Sequence, residues 1–243
     1  MTCGAWRGTR FSPPAAHYSS HVTGACLQKH YYIAVEGVIG VGKTTLARLS
    51  QSDFKAELLL EVFEENPFLA RFYQDRKRYA FQTQIFFLLS RYQQQHEAIP
   101  AALARGNLIS DYTFDKDQIF ARLNIESDEL AMYERVHAIL ATKIPDPDLV
   151  VYLRADTDTL MERIALRDRS YERAMERGYI EALARIYDDF FAHYTQAPVL
   201  TIDASRIDFV RRTEDLHGVI ERIRAKLELG PYQQPLFDNG AKT

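Results

Sequence analysis

Gly37-Val38-Ile39-Gly40-Val41-Gly42-Lys43-Thr44 satisfies the pattern G-x-x-x-x-G-K-[ST] in full. It follows a β-prone run, Tyr31–Glu36, and opens a helical segment, Lys43–Gln51. That strand–turn–helix setting is the one in which the pattern holds phosphate. Glycines let backbone N–H groups close around the anion, and the helix start adds the positive end of its dipole. Lys43 reaches the outer phosphates, and Thr44 offers a hydroxyl to Mg²⁺. ATP is therefore expected on Gly37, Val38, Ile39, Gly40, Val41, Gly42, Lys43, Thr44 and Thr45.

Working outward, further apolar runs follow at Leu58–Phe63, Leu108–Ser110, Leu149–Leu153 and Val199–Ile202, each succeeded by helix-like sequence. Strands alternating with helices predict an α/β fold of the P-loop NTPase type. Its expected core is a doubly wound five-stranded parallel sheet with helices on both faces. Ligands of such sheets sit outside the carboxyl ends of the strands. Gly37, Glu61, Asp111, Arg154 and Asp203 fall at or near those ends and are expected to converge on one crevice. The longest helix is expected from about Tyr79 to Gln95, with Phe81, Ile85, Leu88, Leu89 and Tyr92 forming one buried stripe. Gln84, Arg91 and Gln95 share a flank of that stripe, and helix geometry alone does not choose among them.

The second run carries Glu61-Val62-Phe63-Glu64-Glu65-Asn66-Pro67-Phe68, then a Pro-initiated helix bearing Tyr73. A hydroxyl acceptor needs a base or orienting acceptor beside the attacking oxygen, and Glu61 is placed for that. Glu64 and Glu65 better suit a helix dipole. Farther on, Arg163 and Arg167 lie one helical turn apart, so two guanidinium forks can converge on one anion. The bland alternative is a solvated, salt-bridged surface with Glu162, Asp168 and Glu172.

These segments resemble the deoxyribonucleoside kinase family, in particular its bacterial deoxyguanosine/deoxyadenosine kinase branch. The likeness rests on Glu36-Gly37, on the Glu61 segment, and on Phe-Gln-Thr-Gln-Ile-Phe-Phe-Leu-Leu-Ser-Arg-Tyr from Phe81. It continues through Ser-Asp-Tyr-Thr-Phe-Asp-Lys-Asp-Gln-Ile-Phe-Ala from Ser110 and through Arg163-Ile-Ala-Leu-Arg167-Asp-Arg169, covering roughly Tyr31 to Leu227. The resemblance implies ATP-dependent phosphorylation of a deoxyribonucleoside 5′-hydroxyl in nucleotide salvage, with a purine favoured. It implies that Glu61 accepts the hydroxyl proton, while Tyr73 and Glu172 hold the sugar 3′-hydroxyl. Gln84 would bond the base edge, with Arg91 alongside and Phe120 stacked on the ring. Asp111 would reach Mg²⁺ or steady the hydroxyl, and would be the base if Glu61 is not, while Arg163, Arg167 and Arg169 would form a mobile lid. A homodimer is also implied.

One departure stands out. Many members of the family have Asp-Arg or Glu-Arg after the third strand, and this chain has Asp111-Tyr112. Lys116 is expected to replace part of the lost charge, as a point charge without a fork. It also falls where other members carry an acid facing the base.

The bulk numbers are compatible with this reading. The chain has 243 residues and a formal net charge of −3, which gives no basic footprint for nucleic acid. Two cysteines, Cys3 and Cys26, disfavour a disulfide scaffold or a four-ligand zinc site and fit a reducing cytoplasm. Residues 1–29 read as a mobile tail or an upstream-extended gene start, 30–228 as the kinase domain and 229–243 as a C-terminal tail. Within the last, Gln233, Leu236 and Phe237 resemble short peptides that dock on the replication sliding clamp. Two rival readings remain at this stage. A nucleoside monophosphate kinase would need extra cations, for which Arg71, Arg76 and Lys77 are available. A catalytically impaired nucleotide-binding module would be marked by Tyr112. A GTPase is disfavoured, because no Asn-Lys-x-Asp guanine reader is found.

Overall fold

The computed structural model describes residues 29–62, 66–173 and 175–230. The expectations for the two tails, for Cys3 and Cys26, for Phe63, Glu64 and Glu65, and for Gln233, Leu236 and Phe237 lie outside them. Five parallel strands run β1 (Tyr32–Gly37), β2 (Ala56–Leu59), β3 (Asn107–Ser110), β4 (Leu149–Arg154) and β5 (Val199–Asp203), in the spatial order β2-β3-β1-β4-β5. The helices between them are α1 (Lys43–Phe54), α2 (Leu69–Gln74), α3 (Arg76–Leu103), α4 (Lys116–Asn124) and α5 (Ser127–Ala141). After β4 come α6 (Thr157–Arg167), α7 (Arg177–Ala192) and, last, α8 (Thr213–Lys226). No described helix is long and apolar enough to cross a membrane.

β1 is central and buried along its whole length, as expected of a parallel strand covered on both faces. Its side chains alternate between two packings. Ile33 and Val35 join Leu46 and Ala47 of α1 with Ile220 and Ile223 of α8, whereas Tyr32 and Ala34 meet Ile99 and Ala102 of α3. The order reverses between β1 and β3, and a crevice opens at their carboxyl ends.

Four expectations need correction. The second strand ends at Leu59, not at Phe63. Asp111 ends the pairing there: its N–H donates to Leu59 O at 3.3 Å, and its carboxylate takes the Glu61 N–H at 2.8 Å, so the chain leaves the sheet. Glu61 thus stands two residues beyond the strand, on a turn built by Asp111.

The long helix is longer than expected. It begins at Arg76, where the Asp75 carboxylate accepts from Arg78 N, and it continues to Leu103 because Ile99 and Ala102 prolong its buried line past Pro100. That buried line differs from the predicted stripe. It runs through Ala80, Thr83, Gln84, Leu88, Arg91, Gln95 and Ile99, while Leu89 is 51% exposed. Apart from Leu88, the predicted apolar side chains turn partly outward, and the polar flank faces the interior. Finally, Arg154 and Asp203 do not join the crevice. Arg154 pairs with Asp188, and Asp203 with Arg206, both at exposed positions.

Candidate active site

The crevice is a cleft of about 990 Å³ floored by the β1–α1 loop. Gly37 adopts φ 146°, and a Cβ there would fall 2.3 Å from Leu153 O on β4, so only glycine lets the loop leave the sheet at this point. Gly42 caps α1 with φ 107° and no side-chain hydrogen bond, which leaves the first amides of that helix open to an anion. Lys43 Nζ donates to Gly37 O at 2.7 Å and Val38 O at 3.1 Å, and so lies curled over the loop. Burial, and next the Lys116 ammonium, push Lys43 down to about 8, against the pull of Glu36, Glu61 and Asp111.

Glu36 sits directly before the loop with no exposed surface. Its Oε1 accepts from Thr113 N at 2.7 Å and Thr113 Oγ1 at 3.1 Å, and its Oε2 accepts from Gly37 N at 3.1 Å. Burial raises its pKa above the carboxylate norm, opposed by Lys116 and Lys43. This carboxylate ties the start of the phosphate loop to the segment after β3.

Asp111 joins the two halves of the cleft. One carboxylate oxygen accepts from Thr44 Oγ1, and the other from the Glu61 N–H at 2.8 Å. The Glu61 carboxylate is clamped in turn, with Arg91 donating to Oε1 and Lys116 to Oε2. Burial alone would raise its pKa, but these two cations outweigh it and hold the group well below the usual carboxylate range. Lys116, proposed from the sequence as a replacement cation, borders the cleft and pairs with Glu61. Tyr112 does not enter the cleft. It is fully buried, and its hydroxyl donates to Gln94 Oε1 at 2.5 Å.

A second acid, Asp117, stands next to Lys116 at the cleft. Asp117 is fully buried and pairs with Arg91. Because α4 begins at Lys116, its first two side chains and Phe120 one turn later all border the cleft. Knowing that start would have made Asp117 legible from helical phase. Among the flank residues of α3, Gln84 borders the cleft, whereas Gln95 is enclosed. Among the described residues, the Gln84 Oε1 has no hydrogen-bond partner.

Tyr73 and Glu172 also border the cleft, and Tyr73 stacks on Tyr171 with ring centroids 5.9 Å apart. Burial, then Tyr179 and Glu172, keep the Tyr73 hydroxyl protonated well above its ordinary range. The three arginines all border the cleft but have different partners. Arg163 donates to Val41 O at 3.0 Å and Ala204 O at 2.9 Å, which fastens α6 to the root of the phosphate loop. Arg167 instead forks onto Glu172 at 2.6 and 2.7 Å, with Arg169 3.6 Å from the same carboxylate. A further wall was missed by sequence reasoning. Asp208, Phe209, Arg211 and Arg212, after β5, border the cleft, and a Cβ on Gly42 would lie 3.1 Å from the Phe209 ring.

A glycine loop opening a helix, with a carboxylate opposite it in one cleft, defines a P-loop phosphotransferase. The sequence profile described as "Deoxynucleoside kinase" matches residues 33–228. The deoxyguanosine kinase of Bacillus subtilis (strain 168) is 33% identical over 198 residues, 79% of this chain and 96% of that protein. The deoxyadenosine kinase of Dictyostelium discoideum is 32% identical over 219 residues, 87% of each. The structure of deoxyadenosine kinase from M. mycoides with bound dATP superposes with a TM-score of 0.70 at 27% identity, covering 80% of this chain and 100% of that one. The chain belongs to the deoxynucleoside kinase family, and is an enzyme that phosphorylates deoxynucleosides.

Proposed function

We propose that the enzyme transfers the γ-phosphoryl group of Mg·ATP to the 5′-hydroxyl of a purine deoxyribonucleoside. The observation that carries this reading is the Asp111 bridge, which fixes Glu61 relative to Thr44 of the phosphate loop. Thr44 Oγ1 and Asp111 supply adjacent hard oxygen donors, as Mg²⁺ prefers when substrate phosphates complete its shell. Bound there, the ion neutralises charge on the phosphates. Glu61, held ionised by Arg91 and Lys116, keeps lone pairs free to orient the 5′-hydroxyl. Its depressed pKa suits a late proton transfer, after bond formation to phosphorus has made the hydroxyl acidic.

For the acceptor, Tyr73 and Glu172 would hold the 3′-hydroxyl, Gln84 the base edge, and Phe120 the ring face. The Arg91–Asp117 pair would meet the base beyond Gln84. Arg167 and Arg169 would supply charge to the phosphoryl group. The purine preference rests on the deoxyguanosine and deoxyadenosine kinases among the relatives.

Acceptance of a monophosphate is disfavoured, because Arg71, Arg76 and Lys77 do not border the cleft. Arg76 lies instead over the Tyr179 ring at 4.2 Å. Tyr112 is no mark of lost catalysis, since it stays outside the cleft lining and its ring lies 5.7 Å from the guanidinium of Arg91, which holds Glu61.

Two assemblies belong to the proposal. The outward apolar side chains of α3, with Leu89 51% exposed, and Met132 and Ile139 of α5, 52% and 69% exposed, suit a homodimer. A sliding-clamp contact through Gln233, Leu236 and Phe237 is tested by binding of a tail peptide to purified clamp. The reaction is placed in the cytoplasm, where ATP is made available to salvage.

The test is ADP release with each of the four deoxynucleosides and their monophosphates, beside Glu61→Gln. Turnover with purine deoxynucleosides, lost in the variant, supports the reading. Turnover with monophosphates alone would refute it.

A further inference from the structure

Glu172 is engaged by the wrong partner for a simple sugar ligand. It is 5% exposed, and its oxygens accept from Arg167 Nη2 at 2.7 and 2.6 Å and from Arg167 Nε at 3.2 Å. A guanidinium fork serves one carboxylate or one phosphate at a time. While this pair persists, Arg167 is withheld from the donor, although it borders the same cleft as Lys43 and Thr44.

We propose that Glu172 is shared between lid and acceptor, so that a sugar 3′-hydroxyl reaching Glu172 releases Arg167 to the donor phosphates. This rests on the reading that Glu172 is the ligand of the 3′-hydroxyl.

The surroundings favour an exchange confined to Arg167. A buried carboxylate stripped of its partner is costly, so Arg167 stays until another donor arrives. The sugar hydroxyl is such a donor, and Arg169, 3.6 Å from Oε1, remains to balance the charge. Tyr171 stacked on Tyr73 holds the neighbouring Glu172 at the acceptor side. Upstream, Arg163 is fastened to Val41 O and Ala204 O, so the root of α6 is fixed and only its last turn is free to redirect a side chain. The arginine that stabilises transfer is then available only when a complete acceptor is present. That arrangement protects ATP from hydrolysis in an empty site.

The experiment measures the dissociation constant of a magnesium-bound non-hydrolysable ATP analogue by calorimetry. The wild-type enzyme is titrated alone, with a saturating 2′-deoxynucleoside, and with the saturating 2′,3′-dideoxy counterpart. The 2′-deoxynucleoside should tighten donor binding about tenfold, within the range usual for coupled sites, and the dideoxynucleoside should leave it near its unliganded value. Glu172→Gln should bind donor tightly without any nucleoside, and Arg167→Ala should bind it weakly with or without one. Equal tightening by both nucleosides in the wild-type enzyme overturns the proposal, with no variant needed. So does a Glu172→Gln enzyme that keeps the wild-type synergy. The nucleosides' own affinities separate the two readings. If they are equal, Glu172 is not the 3′-hydroxyl ligand. If the dideoxynucleoside binds more weakly yet tightens donor equally, the coupling alone fails.

Discussion

The Asp111 carboxylate accepts the Glu61 N–H at 2.8 Å with one oxygen and the Thr44 hydroxyl with the other. One side chain therefore sets the distance between the metal-binding edge of the phosphate loop and the base. Asp111→Asn can keep only one of these two acceptances, because an amide nitrogen donates. Turnover should fall by about a hundredfold or more, and the Mg²⁺ concentration giving half-maximal rate should rise. Rates measured against Mg²⁺ at saturating ATP check this. An unchanged Mg²⁺ dependence would remove Asp111 from the metal site.

The clamp on Glu61 predicts a pH profile. Its folded-state pKa lies below the unfolded value, because Lys116 and Arg91 outweigh the effect of burial. Its ionised form therefore contributes stability above the unfolded carboxylate pKa, and that contribution is lost as pH falls through the depressed folded value. The wild-type enzyme should keep Glu61 ionised well into the acid range. Lys116→Gln removes one of the two cations, so the acid limb of kcat/KM should move to higher pH, together with a lower plateau. An acid limb that stays in place would mean that Lys116 does not tune Glu61.

The phosphate loop and the alternation of strands and helices were legible because both are local patterns. The loop needs glycines at fixed offsets, and the sheet needs apolar runs spaced by helices. What escaped depended on contacts between distant segments. β2 ends where a carboxylate 52 positions beyond Leu59 competes for the backbone. The buried line of α3 is polar because Thr83 and Gln84 border the cleft and Arg91 pairs with Glu61 and Asp117, so hydrophobicity marked the other side. Asp117 was not singled out because its place in the cleft depends on where α4 starts, and Asp115, at the helix start, makes no side-chain capping bond there. The Arg167–Glu172 fork was foreseeable only as the bland salt-bridge alternative. Sequence spacing cannot show which of two neighbouring anions a guanidinium prefers.

Tyr112 yields a stability prediction rather than a catalytic one. Its hydroxyl donates to Gln94 Oε1, and Gln94 Nε2 donates to Leu60 O at 3.1 Å, just before the catalytic turn. Tyr112→Phe deletes one buried hydrogen bond and should cost about 1 kcal/mol, seen as a lower denaturant midpoint with turnover within a few-fold of wild type. A large loss of turnover at undiminished stability would place Tyr112 in the reaction after all.

The outward face of α3 and α5 makes the last prediction. Leu89, Met132 and Ile139 are at least half exposed, and Phe81, Ile85, Tyr92 and Val136 of the same two helices are partly buried. Apolar side chains exposed on two helices that pack together offer a surface that a second copy can cover isologously. A charge there costs an isolated subunit little, since exposed substitutions usually lie within about 0.5 kcal/mol. In a dimer the same charge is buried without a partner. Leu89→Glu combined with Ile139→Glu should therefore halve the mass seen by light scattering at micromolar concentration while leaving the circular dichroism of the helices unchanged. A wild-type enzyme that is already monomeric under those conditions, or a doubly substituted one of undiminished mass, would show that this face is not the interface.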